Sequence, residues 1–212
     1  MPGTPGAQCE RAREDTGRRR DAGRGRAFRG WQGLLPGSSP RRDAMNDKRE
    51  RMVIREAERE DVRQIAEILV EDWKMAYRGI IDSAFLDSMS VEERYQRELQ
   101  RYRQYRVAVD GAEVLGFTWN GMSGDDPADC EIIALYVRYA GRKSGTGRAL
   151  FQDSMEIFRA AGRKTMIIWC LSENHEARKF YERMGGKLHR TGTHRWGDRD
   201  YDMVSYLYQL DG

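Results

Sequence analysis

Arg142, Lys143 and Arg148 place three positive charges around Gly145 and Gly147, in the stretch RKSGTGR that starts at Arg142. The stretch follows a continuous apolar run that begins at Ile132, and a helical pattern starts within it. Glycines let backbone N–H groups come close to a phosphate, and a helix N-terminus favours negative charge. The chemistry suggested is recognition of a phosphate-bearing ligand seated just after a strand. Two common phosphate motifs do not fit. A P-loop needs G-x-x-x-x-G-K-[ST], but Arg142 precedes Lys143-Ser144. The dinucleotide fingerprint G-x-G-x-x-G has Leu150 where its last small residue should be. What remains is R-x-x-G-x-G, and a merely solvated basic turn is the alternative reading of Arg142 and Lys143.

A second block lies downstream. Asn174 to Gly186 reads NHEARKFYERMGG, with Ala177, Phe180, Tyr181 and Met184 at i, i+3, i+4 and i+7 on one helical face. Gly185 and Gly186 follow where a helix stop is expected. A third block, Met52 to Gly79, combines I-R-x-A, E-D-x-x-x-I-A and W-x-x-A-Y-x-G.

Taken together, these blocks resemble the GNAT superfamily, the acyl-CoA-dependent N-acyltransferases, in its bacterial form. R-x-x-G-x-G resembles the family's pyrophosphate loop, and N-x-x-A-x-x-F-Y-x-x-x-G-G its second signature helix, at the usual spacing. The resemblance covers about Met52 to Leu210. It implies an N-acetyltransferase with acetyl-CoA as co-substrate and an amine acceptor, acting by direct transfer in a ternary complex. It also implies an α/β fold: a seven-stranded, mixed, mostly antiparallel sheet flanked by helices, whose central parallel pair splays apart. The pantetheine arm lies in that split as a pseudo-strand, paired through main-chain groups.

Acyl transfer to an amine requires a deprotonated amine, a stabilised oxyanion and a protonated leaving thiolate. An alkyl ammonium has a pKa near ~10, so a base or a water chain must take its proton. By resemblance, a Glu at the position of Glu131 is the base in many members, often through water; the alternative is a solvated carboxylate at a strand end. Asp125, Asp126 and Asp129 lie close by and could substitute or shape an amine-binding mouth. Tyr181 is the candidate general acid, since a phenol is protonated at neutral pH; the alternative is a core aromatic. Asn174 would cap its helix or bind the pantetheine arm, roles that are compatible. The oxyanion donor is expected to be a backbone N–H around Leu135, Tyr136 or Val137. The amides from Arg142 through Lys143, Ser144, Gly145, Thr146 and Gly147 to Arg148 should hold the pyrophosphate.

The chain departs from the family at two places. Tyr139 stands where many members carry Pro, and Gly141 stands where a larger residue is usual. Both could loosen the loop. A non-catalytic acyl-CoA-binding sensor is therefore one rival function, and an acetyltransferase acting on protein N-termini is another. The resemblance also admits a homodimer, which no feature of the sequence decides.

The elements that must position these residues can be read from periodicity. A short strand covers Met52 to Arg55 and a helix about 61–76, with Val62, Ile65, Ala66, Leu69 and Trp73 on one face. By resemblance, this helix and the loop holding Ile80, Ile81, Phe85 and Leu86 line the acceptor side, although Trp73 could equally be core. Ser90 with Glu93 looks like a capping box that opens a helix to about Tyr102. Arg106 to Val109 and Val114 to Trp119 form a hairpin across Asp110-Gly111. Strands follow at Ile132 to Val137 and Thr165 to Leu171, the expected parallel pair, with a helix to Ala161 between them. Further strands are expected near Lys187 to His189 and at Tyr201 to Gln209.

Composition sets the outer limits. The chain has 212 residues, 39% hydrophobic and 33% charged, with a net charge of +3. Residues 1–44 hold ten Arg, no Lys and five acids, about +5, which leaves about −2 for the remainder. Bulk charge therefore argues against nucleic-acid binding by residues 45–212, the expected folded domain. The first 44 residues are rich in Arg, Gly and Pro and read as a disordered extension, since they cannot bury enough apolar surface to offset their ordering entropy. Translation starting at Met45 or Met52, a solvated tail and an RNA-binding or targeting arm are the competing accounts. No apolar stretch has the length of a signal peptide or membrane helix. Cys9, Cys130 and Cys170 are few and widely spaced, and His175, His189 and His194 form no ligand set. These features suit a reducing, cytoplasmic protein without a metal or membrane partner.

Overall fold

The structure, a computed structural model, describes residues 52–210. The proposed extension over 1–44 lies outside the described residues. Seven strands form one sheet: β1 (Val53–Glu56), β2 (Tyr105–Asp110), β3 (Glu113–Met122), β4 (Cys130–Val137), β5 (Thr165–Leu171), β6 (Lys187–Trp196) and β7 (Arg199–Gln209). Their order is β1-β2-β3-β4-β5-β7-β6, and every pair is antiparallel except β4 with β5. Helices α1 (Val62–Glu67), α2 (Trp73–Tyr77), α3 (Ser83–Asp87), α4 (Val91–Glu98), α5 (Thr146–Ala160) and α6 (His175–Arg183) complete the fold.

The parallel pairing is short. Only Cys130–Ile132 pairs with Met166–Ile168, although both strands continue. Beyond Ile132↔Ile168 β4 and β5 part, and their facing backbone edges are not paired with each other. On its other side β4 stays paired with β3 up to Gly116↔Val137, with one extra residue, Ile133, between Asn120↔Ile132 and Trp119↔Ala134. This bulge reverses the alternation of side chains along β4. Ile132 and Leu135 contribute to the core beneath α5 and α6, whereas Ala134 joins the core beneath α1.

The helix expected over about 61–76 is present but not uniform. Between α1 and α2, Ile68–Asp72 form a turn of π-helix. This wider turn changes the face presented to the core, and Ile68, Leu69, Val70, Asp72 and Trp73 are all buried. The helix opened by Ser90 ends at Glu98 rather than near Tyr102, and Tyr102–Gln104 form a separate 3-10 turn. The strand expected near Lys187 to His189 extends to Trp196, because Thr191 to Trp196 continue to pair with β7. The hairpin across Gly111 and the bounds of β5 are as expected.

Candidate active site

A cavity of about 520 Å³ runs along the split between β4 and β5. At one end lies the basic glycine-rich loop. Gly145, in the left-handed region at φ 98°, caps α5, and Lys143 has φ 66°. The first-turn amides of α5 have no partners within the helix, as at any helix start. Gly147 packs tightly: a Cβ there would sit 3.3 Å from Val137 Cγ2. Arg142, Lys143, Gly145, Gly147 and Arg148 all line the cavity. Ser144 and Thr146 do not. Ser144 Oγ lies 2.6 Å from the Gly141 carbonyl oxygen, to which it donates, and 2.8 Å from Thr146 Oγ1, so these two side chains brace the loop from within.

The middle of the cavity is the open edge of β4. Arg138 N–H donates to Leu115 O, so by strand alternation the Tyr136 N–H also points at β3. The N–H groups of Leu135 and Val137 therefore face the split, which narrows the expected oxyanion donors to those two. The Tyr136 side chain lines the cavity.

Across the split, α6 supplies Tyr181, which lines the cavity and is buried among Phe151, Phe180 and Tyr206. Burial holds its phenol well above the usual tyrosine range, with Cys170, Tyr77 and the other nearby phenols acting in the same direction. Asn174 Oδ1 accepts from Ala177 N–H at 3.1 Å, so it caps α6 while also lining the cavity. Phe180 packs edge-on against Phe151 at 6.0 Å.

Glu131 is placed differently from a solvated strand end. It is fully buried inside β4, opposite Gly121 on β3 and Ile167 on β5, one residue before the last paired rung, Ile132↔Ile168. It shares a sheet face with Ala134, but it does not line the cavity. Two of the acids expected at an amine-binding mouth have structural partners. Asp129 Oδ2 accepts from Lys164 N–H at 2.9 Å and from Thr165 N–H at 3.0 Å, and these bonds hold its carboxyl below the usual range. Asp125 accepts from Trp169 Nε1 at 2.8 Å. Asp126 is exposed.

Sequence reasoning placed Tyr136 on the cofactor strand and Tyr77 on the acceptor-side helix but assigned no chemistry to their phenols. Tyr77 and Tyr136 stand with Tyr181 around the same space, and burial raises all three phenols. Nothing in their sequence spacing predicts that these three residues line one cavity. Cys170 also lines the cavity, and burial pushes its thiol up to about 12. Trp73 is both core and wall: it is almost fully buried, packs against Tyr77 and Trp196, and lines the cavity.

A split parallel pair, a basic glycine-rich loop at a helix start and a buried tyrosine across the gap all border one cavity. A sequence model of the acetyltransferase (GNAT) family matches residues 62–186. A probable N-acetyltransferase of Mycobacterium tuberculosis is 31% identical over 136 residues, spanning 61% of this chain and 76% of the relative. Among solved structures, the PaiA N-acetyltransferase of Thermoplasma acidophilum, in complex with coenzyme A, superposes with a TM-score of 0.59 at 22% identity, covering 74% of this chain and 99% of that one. A ribosomal-protein-alanine N-acetyltransferase of Brucella melitensis gives 0.58 at 19% identity, covering 74% and 99%. The chain belongs to the GNAT acetyltransferase family and is an acyl-CoA-dependent N-acyltransferase. Among the described residues, no helix is long and apolar enough to cross a membrane, and no cluster of His, Cys, Asp and Glu could hold a metal ion.

Proposed function

We propose that the protein transfers the acetyl group of acetyl-CoA directly to a primary amine bound in the same cavity. The observation that carries this reading is one continuous space that joins the basic loop to Tyr181 through the split between β4 and β5. The loop amides with Arg142, Lys143 and Arg148 hold the pyrophosphate. Leu135 and Val137 N–H groups offer hydrogen bonds to the thioester oxygen as charge develops on it. Tyr181 donates its proton to the departing thiolate, a role suited to a phenol that stays protonated at neutral pH. Glu131 is the proton sink for the amine, reached through water because the carboxylate lies behind the cavity wall.

Direct transfer is favoured over an acyl-cysteine intermediate by Cys170. A thiol with a pKa of about 12 is almost wholly protonated at pH 7, whereas the thiolate is the nucleophile. The buried free thiols Cys130 and Cys170 also suit a reducing, cytoplasmic setting. The acceptor wall formed by Trp73, Tyr77 and Trp169 suits a cationic amine on an apolar body, through ring faces more than through carboxylates.

The test uses the full chain with acetyl-CoA and two acceptor sets: free small amines and short peptides with free N-termini. Thiol release and mass spectrometry report transfer. Acetylation of small amines is expected. Acetylation of peptides alone would shift the acceptor to protein N-termini, and acetyl-CoA binding without turnover on either set would mark a sensor.

A further inference from the structure

Asp72 ends the π-helical turn and is buried, and its Oδ1 accepts a hydrogen bond from the Tyr139 backbone N–H at 2.9 Å. Its Oδ2 has no hydrogen-bond partner among the described residues. A buried carboxylate is costly unless it is hydrogen-bonded, so the Tyr139 N–H carries unusual weight. Tyr139 opens the 3-10 turn Tyr139–Gly141 that leads into the phosphate loop, and the Arg142 guanidinium stacks over its ring, 4.6 Å from the centroid. One residue earlier, Arg138 N–H donates to Leu115 O at 2.8 Å, and the Arg138 guanidinium lies 3.6 Å from Glu67 on α1. The entry to the loop is thus fastened twice to the helical segment of α1 and α2. The fastening at 139 needs an N–H, which proline cannot supply.

We infer that Asp72 is a positioning residue for acyl-CoA binding: through the Tyr139 N–H it ties the entry of the phosphate loop to the helix that forms the acceptor-side wall. The inference rests on the reading of this loop as the pyrophosphate site. An entry fixed in advance reduces the ordering cost of seating the cofactor. It also gives Tyr139 a use in this chain: its N–H anchors the loop while its ring orients Arg142.

The test is CoA affinity by titration calorimetry on the full chain, with the melting temperature of each variant measured alongside. Tyr139→Ala removes the ring and keeps the N–H; Tyr139→Pro removes both and suits the first position of a helical turn. Tyr139→Pro is expected to bind CoA about tenfold more weakly than Tyr139→Ala, the scale of a hydrogen bond to a charged group. In an Asp72→Ala background that difference should shrink below about twofold. Asp72→Asn keeps an oxygen that can accept the bond, and should restore affinity to within about threefold of wild type. Equal affinities for Tyr139→Ala and Tyr139→Pro, or a difference that persists without Asp72, would overturn the inference. So would lowered melting temperatures with unchanged CoA affinity, which would mark a purely structural contact. A wild type that fails to bind CoA would instead bring down the reading of the loop, and the tether with it.

Discussion

The Tyr208 hydroxyl donates to the Tyr181 backbone carbonyl at 2.9 Å in a buried contact that joins β7 to α6. The same carbonyl accepts from Gly186 N–H at 3.0 Å as the helix ends. The proposed acid is therefore held by its backbone as well as by its ring neighbours. Gly186 leaves room for this: a Cβ there would lie 2.6 Å from the Tyr208 hydroxyl oxygen and ring. Gly185, at φ 93°, turns the chain, and Gly186 admits Tyr208. Gly186→Ala should displace Tyr208, lower the melting temperature and reduce kcat, while Tyr208→Phe should reduce kcat more mildly. Steady-state kinetics and thermal melts on the two variants test this, and a Gly186→Ala protein with wild-type kcat would show that the contact does not position Tyr181.

Tyr181→Phe should lower kcat by about 10²-fold and leave the KM for acetyl-CoA nearly unchanged, because the hydroxyl acts as thiolate leaves rather than as cofactor binds. Retention of full kcat would remove Tyr181 from the chemistry.

Glu131→Gln keeps the size of the buried side chain and removes its basicity. The expected result is a lower kcat and loss of the acidic limb of the pH–rate profile, with CoA affinity intact. An unmoved profile would mean that the amine's proton goes elsewhere, and Tyr136 and Tyr77 would be the next variants to make.

The phenols supply a pH prediction with a definite sign. Burial raises Tyr77, Tyr136 and Tyr181 above the ordinary tyrosine value in the folded protein. A group whose folded value is raised contributes its full stability below the unfolded value, near ~10, and loses it as pH climbs higher. Stability should therefore decline above about pH 10, and absorbance should show these phenols ionising together with unfolding. Smooth ionisation of every tyrosine near pH 10 in the folded state would contradict the burial described.

Glu98 is fully buried and binds Arg94 Nε at 2.8 Å and Arg101 Nε at 2.9 Å, and it accepts from the Tyr105 hydroxyl. Removing one member of such a network strands charge in the interior, at about 3–5 kcal/mol. Glu98→Ala should show a loss of that size in denaturant melts, whereas replacement of the exposed Glu92 should leave the melt nearly unmoved.

Much of the fold and part of the site could be read from local pattern. The R-x-x-G-x-G turn, the F-Y helix with its glycine stop and the bounds of β5 each depend on short-range chemistry: glycine's freedom at φ 98° and 93°, amphipathic period and strand propensity. Asn174 as a cap is equally local, since its oxygen reaches an amide three residues on. Family membership follows from these same residues.

Tertiary structure decided what lies far apart in sequence. The burial of Glu131 depends on the bulge at Ile133 and on β3 and β5 closing around β4, and none of this is visible from the residue itself. The grouping of Tyr77, Tyr136 and Tyr181 needs three elements to converge on the split. The role of Tyr139 depends on a carboxylate 67 residues earlier, which the π-helical turn holds inside the structure. Side-chain type and spacing encode what a segment can do by itself. Burial and proximity, which set a group's protonation and its reach, come from long-range packing.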